Sequence, residues 1–331
     1  MPELLHVGLI GLGVMGQRML ARLADHPRLR ATRIWDADPA ALARTLAAHP
    51  QLQPADSADA LVATPGLHTL YIATPPAPHM ALSHRAFDAG LAVFCEKPLT
   101  VDFDAARRAI ARIDRERQRA AVNFSLASSP GLAALQAACG GGVDAAIGAL
   151  QTVQIELAFA RWPRPWQAAA GTWLAERAEG GFTREVLSHF IFVLQRLLGP
   201  AQVLSARPDY PADGRCAERA LTATLLAGGV PVQLQAQVAG TVDDFNRMTL
   251  QGSTGAVELR DWFGLQQRQG DGPWQARGDP AAMRQRGQAD QLDQWVALIE
   301  GRAHGLPGYA EALAVQQTIE ALLAGSPTAP A

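Results

Sequence analysis

The stretch that decides the fold runs from His6 to Gly16 and reads HVGLIGLGVMG, an apolar run followed at once by three spaced glycines. The apolar run predicts a buried strand, and the residues from Val14 onward predict a helix. The first glycine allows a tight turn, the second lets the backbone approach a pyrophosphate, and the third lets the helix pack on the strand. The N–H groups of the helix N-terminus would bind the phosphates. The pattern predicts a dinucleotide site formed by Gly11, Gly13, Val14, Met15 and Gly16.

Further apolar runs follow this stretch, and an amphipathic helical segment lies between each run and the next. The predicted strands after the first are Ala31–Trp35, His68–Ala73, Leu91–Cys95 and Ala120–Phe124. Continuous apolar strands joined by helices are typical of a parallel sheet that is covered on both faces. We therefore predict a doubly wound Rossmann domain over residues 1–124.

The second half of the chain has a different pattern. A strand at Val153–Phe159 precedes a helical segment at Thr183–Leu198, and later strands are separated by glycine turns at Gly228-Gly229 and Gly252–Gly255. Consecutive strands with tight turns predict a mostly antiparallel sheet with helices on one face. The chain ends in two predicted helices, Ala289–Glu300 and Tyr309–Ala324. The predicted fold class is α/β, with an α+β domain that contains a large open sheet over residues 125–331.

Composition excludes several classes of function. The formal net charge is −2, which argues against a nucleic-acid groove or an anionic membrane surface as the partner. No run of eighteen apolar residues is present, so no membrane-spanning segment is predicted. Cys95, Cys139 and Cys216 lie far apart without a CxxC pair, which favours a reducing cytoplasm and predicts no metal site.

Asp36 bears on the choice of cofactor. It ends the second predicted strand twenty residues after Gly16, where a carboxylate can bind ribose hydroxyls. A carboxylate also repels a 2′-phosphate, and neither Ala37 nor Asp38 supplies an arginine that would attract one. NAD is therefore favoured over NADP.

The segment from Thr74 to His79 follows a central strand and reads TPPAPH. Prolines end strand pairing there and place a loop at the carboxyl edge of the sheet, where open α/β folds bind ligands. Two interpretations stay open: a rigid turn only, or a direct cofactor contact through Thr74 and Pro75. His79 fits the start of a helix and is the third candidate cofactor contact.

Lys97 is the only lysine in 331 residues, whereas arginine occurs 28 times. Arginine keeps its proton in any protein environment, but the pKa of a lysine ammonium can be moved into the working range. A position that must exchange a proton can therefore be lysine and not arginine. Lys97 follows a predicted buried strand within Glu96-Lys97-Pro98, and we interpret it as functional.

Glu185 and His189 are the titratable residues that stand out in the second half. They lie four residues apart in the predicted helix and so share one of its faces. Histidine is suited to carry a proton near neutral pH. Taken alone, His189 would more often be a hydrogen-bonded core residue than a proton carrier.

Together these residues resemble the Gfo/Idh/MocA oxidoreductase family over nearly the whole chain. The segments that carry the resemblance are Gly11–Gly16, Asp36, Thr74-Pro75-Pro76, Glu96-Lys97-Pro98-Leu99 and the glycine-rich lead into the helix with His189. The resemblance implies a Rossmann domain and a second domain whose open sheet forms a homodimer or homotetramer. It also implies that the bond before Pro98 is cis.

The resemblance further implies roles for individual residues. Lys97 would contact substrate and nicotinamide ribose and assist proton transfer, and His189 would bind or deprotonate the reacting hydroxyl. Glu96 and the Thr74-Pro75 loop would line the cofactor. Hydride would then pass between NAD(H) and a small molecule, with a sugar or cyclitol as the favoured substrate.

The sequence also departs from the family pattern. Glu185 and Phe192 stand where the family has aspartates, and the run from Ser125 to Ser128 lacks a common arginine. These changes leave two alternatives open: a regulatory protein that binds the dinucleotide without turnover, or a reductase of a less polar imine or enone. The second is favoured if Trp162, Trp166 and Trp173 line the pocket, although they could also be core or interface residues.

Overall fold

The computed structural model of the protein describes residues 3–140, 147–241 and 243–326. Its residues form two compact units. The first unit ends at Ala127 and also includes Gln288–Leu313; the second comprises Ser128–Gly287 and continues from Ala314. The predicted domain boundary at residue 124 stays a prediction. The first unit has one feature that the sequence did not predict. A segment from near the C-terminus belongs with the N-terminal sheet.

The first unit contains a six-stranded parallel sheet with the strand order β3-β2-β1-β4-β5-β6. The strands are β1 (Leu5–Ile10), β2 (Leu29–Trp35), β3 (Gln53–Pro54), β4 (Thr69–Ile72), β5 (Ala92–Glu96) and β6 (Ala120–Asn123). The helices between them are α1 (Val14–Ala24), α2 (Pro39–Ala48), α3 (Ala58–Val62), α4 (His79–Asp88) and α5 (Phe103–Glu116). The predicted doubly wound fold is confirmed.

The strand order reverses between β1 and β4, which lie side by side in the middle of the sheet. In open parallel sheets the loops on either side of such a reversal diverge, and the crevice at the carboxyl ends of the strands binds ligands. The glycine turn follows β1 and the Thr74 loop follows β4. Both candidate cofactor segments therefore lie at the position that this fold uses for a ligand.

The segment Gln288–Leu313 completes the core of the first unit. Trp295 is fully buried, with ring centroids 5.0 Å from Phe94 and 5.8 Å from Tyr71. Its indole N–H donates to the hydroxyl of Thr69 at 3.1 Å. Because a buried tryptophan needs both apolar contacts and an acceptor for its N–H, these contacts specify where the helix docks on the sheet.

The second unit contains an eight-stranded sheet with the order β14-β13-β12-β11-β7-β10-β9-β8. The strands are β7 (Leu150–Phe159), β8 (Ala201–Asp209), β9 (Ala220–Ala227), β10 (Val230–Val238), β11 (Phe245–Gly252), β12 (Gly255–Arg260), β13 (Gly264–Gln269) and β14 (Gln275–Ala276). Only the pairing of β7 with β10 is parallel among these described strands, so the predicted mostly antiparallel sheet is confirmed.

The remaining helices are α6 (Pro130–Cys139), α7 (Ser188–Leu198), α8 (Pro280–Ile299) and α9 (Tyr309–Ala324). Short 3-10 helices occupy Pro165–Ala170 and Trp173–Ala175. None of the helices in the described ranges is both long and apolar enough to cross a membrane. Side chains of β9 and β10 alternate between buried and more exposed, so the sheet has one covered face and one open face. Assembly through the open face stays a prediction, which sedimentation of the full chain would test.

Candidate active site

The glycine turn has the shape that the sequence pattern requires. Gly11 has a φ of +95°, and a Cβ atom there would lie 2.5 Å from the carbonyl oxygen of Ala73. A Cβ atom at Gly16 would overlap the carbonyl oxygen of Gly11, whereas one at Gly13 would meet no atom within 4 Å. Gly11 and Gly16 are therefore required by the protein's own packing. The space beside Gly13 is available to a ligand that approaches the backbone.

The N-terminus of α1 is suited to an anion. Gly13 occupies the N-cap position without a side-chain hydrogen bond, and the first turn, which begins with Val14 and Met15, contains no acidic residue. An uncapped helix start presents N–H groups and a partial positive charge. The turn can therefore hold the pyrophosphate of a dinucleotide.

Asp36 lies directly beside this turn. One of its carboxylate oxygens accepts the N–H of Leu12 at 2.6 Å, and the other accepts the N–H of Asp38 at 2.8 Å. The carboxylate therefore joins the end of β2 to the glycine turn. Each carboxylate oxygen can accept more than one hydrogen bond, so ribose hydroxyls can be bound as well.

The Thr74 loop carries a second feature that fits a ligand. The Thr74 hydroxyl oxygen is buried and has no hydrogen-bond partner among the described residues. A buried polar atom is costly without a partner, so an unsatisfied hydroxyl next to the glycine turn points to a bound polar group. Together with the open space at Gly13 and the uncapped helix, it shows that the residues present fit a dinucleotide.

His79 has a different environment from the one expected of a cofactor contact. Its ring is fully buried, with Nε2 2.9 Å from the carbonyl oxygen of Thr74 and Nδ1 3.2 Å from that of Leu99. Burial lowers the pKa of His79, which favours the neutral ring with one N–H. The side chain thus lies between the loops after β4 and β5 and can donate to one of the two carbonyl oxygens, so any effect on a cofactor would act through the Thr74 loop.

Glu96 and Lys97 lie at the end of β5. Glu96 is buried and accepts hydrogen bonds from the Tyr71 hydroxyl and, at 2.7 Å, from the Asn123 amide. Burial raises the pKa of Glu96, whereas the hydrogen bond from Tyr71 and the charge of Lys97 act to lower it. Lys97 is half-buried, and the peptide bond to Pro98 is cis, as the resemblance implied.

His189 and Glu185 belong to the second unit. The predicted helix is present, but its first part, Thr183–Leu187, is a π-helix that continues into α7. Such a turn contains an extra residue and is frequently found at functional sites. His189 is buried, and Glu185, within the π-turn, is half-buried.

The sequence did not reveal Trp262, whose ring lies 5.1 Å from that of His189 at an interplanar angle of 79°. Trp262 and Asp261 have φ values of +72° and +49°, in a turn between β12 and β13. A bulky residue rarely adopts this conformation, so nothing in the local sequence predicted it. The N–H of Trp262 donates to the Asn246 side chain at 3.0 Å, which helps to hold the turn.

The three tryptophans considered from the sequence have different environments. Trp162 packs against Phe159 and Phe182 and donates its indole N–H to the carbonyl oxygen of Leu174 at 2.9 Å. Trp166 is 45% exposed and stacks on Arg164, and Trp173 is half-buried. Trp162 is thus a half-buried residue that packs on the core residues Phe159 and Phe182 of the second unit. Phe192, at the position of a family aspartate, is fully buried.

The start of the π-helix depends on a buried carboxylate. Glu218 accepts the N–H of Thr183 at 2.8 Å, and burial raises the pKa of Glu218. Gly181 lies against this carboxylate with a φ of +99°, and a Cβ atom there would overlap it. The absence of a side chain at Gly181 therefore allows Glu218 to cap the helix that carries His189.

Gly181→Ala is expected to lower the free energy of unfolding by about 2 kcal/mol, because strain at a positive φ and a clash with Glu218 act together. Chemical denaturation measures it. Gly214→Ala is the matched control, because Gly214 has a φ of +67° but a Cβ atom there meets nothing within 4 Å. It should cost only about 1 kcal/mol. Equal losses in the two variants would contradict the clash.

Known proteins resemble the chain in sequence and in fold. Residues 5–124 match the family described as oxidoreductase family, NAD-binding Rossmann fold. The chain is 26% identical over 246 residues to an uncharacterized oxidoreductase of Synechocystis sp., a match that covers 70% of this chain and 64% of that protein. It is 32% identical over 138 residues to inositol 2-dehydrogenase of Pseudomonas fluorescens, 40% of each protein. The chain thus spans less than two thirds of the length of either relative.

A solved structure with a similar fold is the WlbA dehydrogenase from Bordetella pertussis in complex with NADH and UDP-GlcNAcA. It has a TM-score of 0.81 at 20% identity and covers 97% of this chain and 94% of its own. Over this coverage the two-part fold is shared. The family match agrees with the resemblance seen in the sequence and identifies residues 5–124 as an NAD-binding Rossmann fold.

Proposed function

We propose that the chain is an NAD-dependent dehydrogenase of the Gfo/Idh/MocA oxidoreductase family, whose NAD-binding Rossmann model matches residues 5–124. Hydride would pass between the nicotinamide and the CH–OH or C=O carbon of a small molecule. The observation that carries the proposal is the position of Lys97. The only lysine of the chain directly follows β5. The same sheet contains β1, which is followed by the glycine turn, and β4, which is followed by the Thr74 loop.

The preference for NAD follows from Asp36. Its carboxylate is fixed beside the glycine turn by the N–H groups of Leu12 and Asp38. A 2′-phosphate bound near this carboxylate would be repelled. When bound, NAD supplies the hydride acceptor, and the protein supplies the groups that bind the substrate and move the proton.

Lys97 is proposed to exchange the proton of the reacting oxygen and to stabilise the negative charge that develops on it. His189 is proposed to bind or deprotonate the same hydroxyl, and Glu185 to tune His189. The π-turn at Thr183–Leu187 supports a functional interpretation of this helix.

The proposed substrate is a sugar or cyclitol. Two similar proteins support this class: one is named inositol 2-dehydrogenase, and the other is a dehydrogenase with UDP-GlcNAcA bound. A reductase of a less polar imine or enone is the second candidate, favoured by the indole of Trp262 next to His189.

The proposal is tested by mixing the protein with NAD or NADP and a panel of cyclitols, sugars and nucleotide sugars. With at least one polyol we expect the absorbance band of the reduced cofactor to appear. We expect kcat/KM to be about tenfold or more higher with NAD than with NADP. Oxidation of NADH by an imine or enone alone would favour the second candidate. Binding of NAD without turnover of any compound would indicate a regulatory protein.

A further inference from the structure

A line of hydrogen bonds, partly buried at its first member and buried beyond it, crosses the first unit and ends at Glu96. It begins at Arg22 on α1, whose guanidinium donates to the side-chain oxygen of Gln291 on α8 at 3.1 Å. The Gln291 amide donates to the side-chain oxygen of Asn123 at 2.8 Å. The Asn123 amide in turn donates to Glu96 at 2.7 Å and to the Tyr71 hydroxyl at 3.1 Å.

The direction of every bond in this line is fixed by its first member. A guanidinium has only donors, so Gln291 must turn its oxygen toward Arg22 and its NH₂ group toward Asn123. Asn123 must then turn its own oxygen toward Gln291 and its NH₂ group toward Glu96. The Tyr71 hydroxyl accepts from Asn123 and donates to the same Glu96 oxygen.

Glu96 therefore receives two donors on one oxygen, and these hydrogen bonds stabilise the charged carboxylate more than the neutral acid. Glu96 and Asn123 are register partners on β5 and β6, so the sheet itself sets their separation. Both Gln291 and Asn123 are buried, where hydrogen bonds are screened little by water.

We propose that Gln291 is a positioning residue that joins Arg22 to Asn123, keeps Glu96 as a carboxylate and thereby keeps a negative charge next to Lys97. Its effect on turnover rests on the proposed function, whereas its effect on Glu96 does not. Gln291 lies on α8, outside every motif that carries the family resemblance.

The charged and titratable groups around Glu96 agree with this role. Burial raises the pKa of Glu96, and Tyr71, Lys97, Asn123 and Arg22 all act to lower it. Tyr71 and Cys95 are the other titratable neighbours, and burial raises the pKa of each. Both stay neutral at the pH where Glu96 ionises, so the donors and the two cations are the groups that oppose the larger effect of burial on the pKa of Glu96.

The test substitutes Gln291→Leu, which keeps side-chain bulk and removes its hydrogen bonds to Arg22 and Asn123, together with a longer one of 3.5 Å to the carbonyl oxygen of Phe124. The control is Gln294→Leu on the same helix, because Gln294 accepts the N–H of Gly305 at 2.9 Å and no described hydrogen bond joins it to Glu96. Carbon-13 NMR of labelled glutamate side chains follows the titration of Glu96 in the free protein, with Glu96→Gln to assign the signal. Arg22→Met is a second variant that removes the cation and leaves the buried amides in place.

We expect the midpoint of the Glu96 titration to rise by about one pH unit or more in Gln291→Leu, to rise in Arg22→Met, and to stay unchanged in Gln294→Leu. The acidic limb of kcat/KM should move up by the same amount, because a carboxylate needed for activity is lost as the pH falls through its pKa. Unchanged midpoints in both Gln291→Leu and Arg22→Met would overturn the proposal. The NMR result decides it even if no substrate is found.

Discussion

Lys97→Arg is expected to bind NAD as the unsubstituted protein does and to lose turnover by about a hundredfold, the usual contribution of a general acid–base group. Arginine keeps the positive charge next to Glu96 but does not release its proton at any working pH. Steady-state reduction of NAD measures the loss, and titration of NAD against protein fluorescence measures the binding.

A second variant separates proton exchange from charge. Lys97→Met removes both, so its turnover should fall at least as far as that of Lys97→Arg, and the difference between the two reports charge stabilisation alone. Turnover near the unsubstituted value in Lys97→Arg would end the claim that Lys97 exchanges a proton. The claim of NAD binding would be untouched by that result.

The cofactor half of the site could be predicted from the sequence because local residues specify it. The turn from Gly11 to Gly16 needs particular backbone angles and close approaches, and only glycine meets these at Gly11 and Gly16. Asp36 ends a strand next to that turn, so its position follows from the fold. The structure of such a short motif can be predicted because its steric requirements involve few residues that are distant in sequence.

The surroundings of Glu96 could not be predicted in this way. Gln291 and Asn123 are hydrogen-bonded across a sequence separation of 168 residues, and Trp295 enters the same core from α8. Sequence periodicity identified the end of this helix but gave no information on the sheet against which it packs. Nothing in the sequence therefore indicated that Gln288–Leu313 belongs with the first unit.

Three features of the second unit were also not predicted from the sequence. The strands at Gly264–Gln269 and Gln275–Ala276 were not predicted, because their residues are polar and show no alternation. The π-turn at Thr183–Leu187 has an ordinary helical sequence, so its extra residue was also not predicted. Trp262 has a backbone conformation that its residue type disfavours, and the contacts that hold it come from distant strands.

The three motif glycines differ in the space around them. A side chain at Gly11 or Gly16 would collide with the protein's own backbone, and those positions report on folding. Gly13 has a φ of −70° and open space around its missing Cβ, so alanine is compatible with the folded chain there. Gly13 is therefore the position at which ligand binding can be separated from stability.

Gly13→Ala is expected to leave the free energy of unfolding within about 0.5 kcal/mol of the unsubstituted protein. Its affinity for NAD should fall by about a hundredfold, or ~2.7 kcal/mol, because the added methyl group occupies the space through which the pyrophosphate approaches the helix N-terminus. Isothermal titration with NAD and chemical denaturation measure the two quantities.

Gly308→Ala is the matched control. Gly308 lies outside the turn, and a Cβ atom there also meets nothing within 4 Å. Unchanged NAD affinity in Gly13→Ala would show that the dinucleotide does not bind against this glycine. Loss of stability in Gly13→Ala would instead show that the open space belongs to the fold.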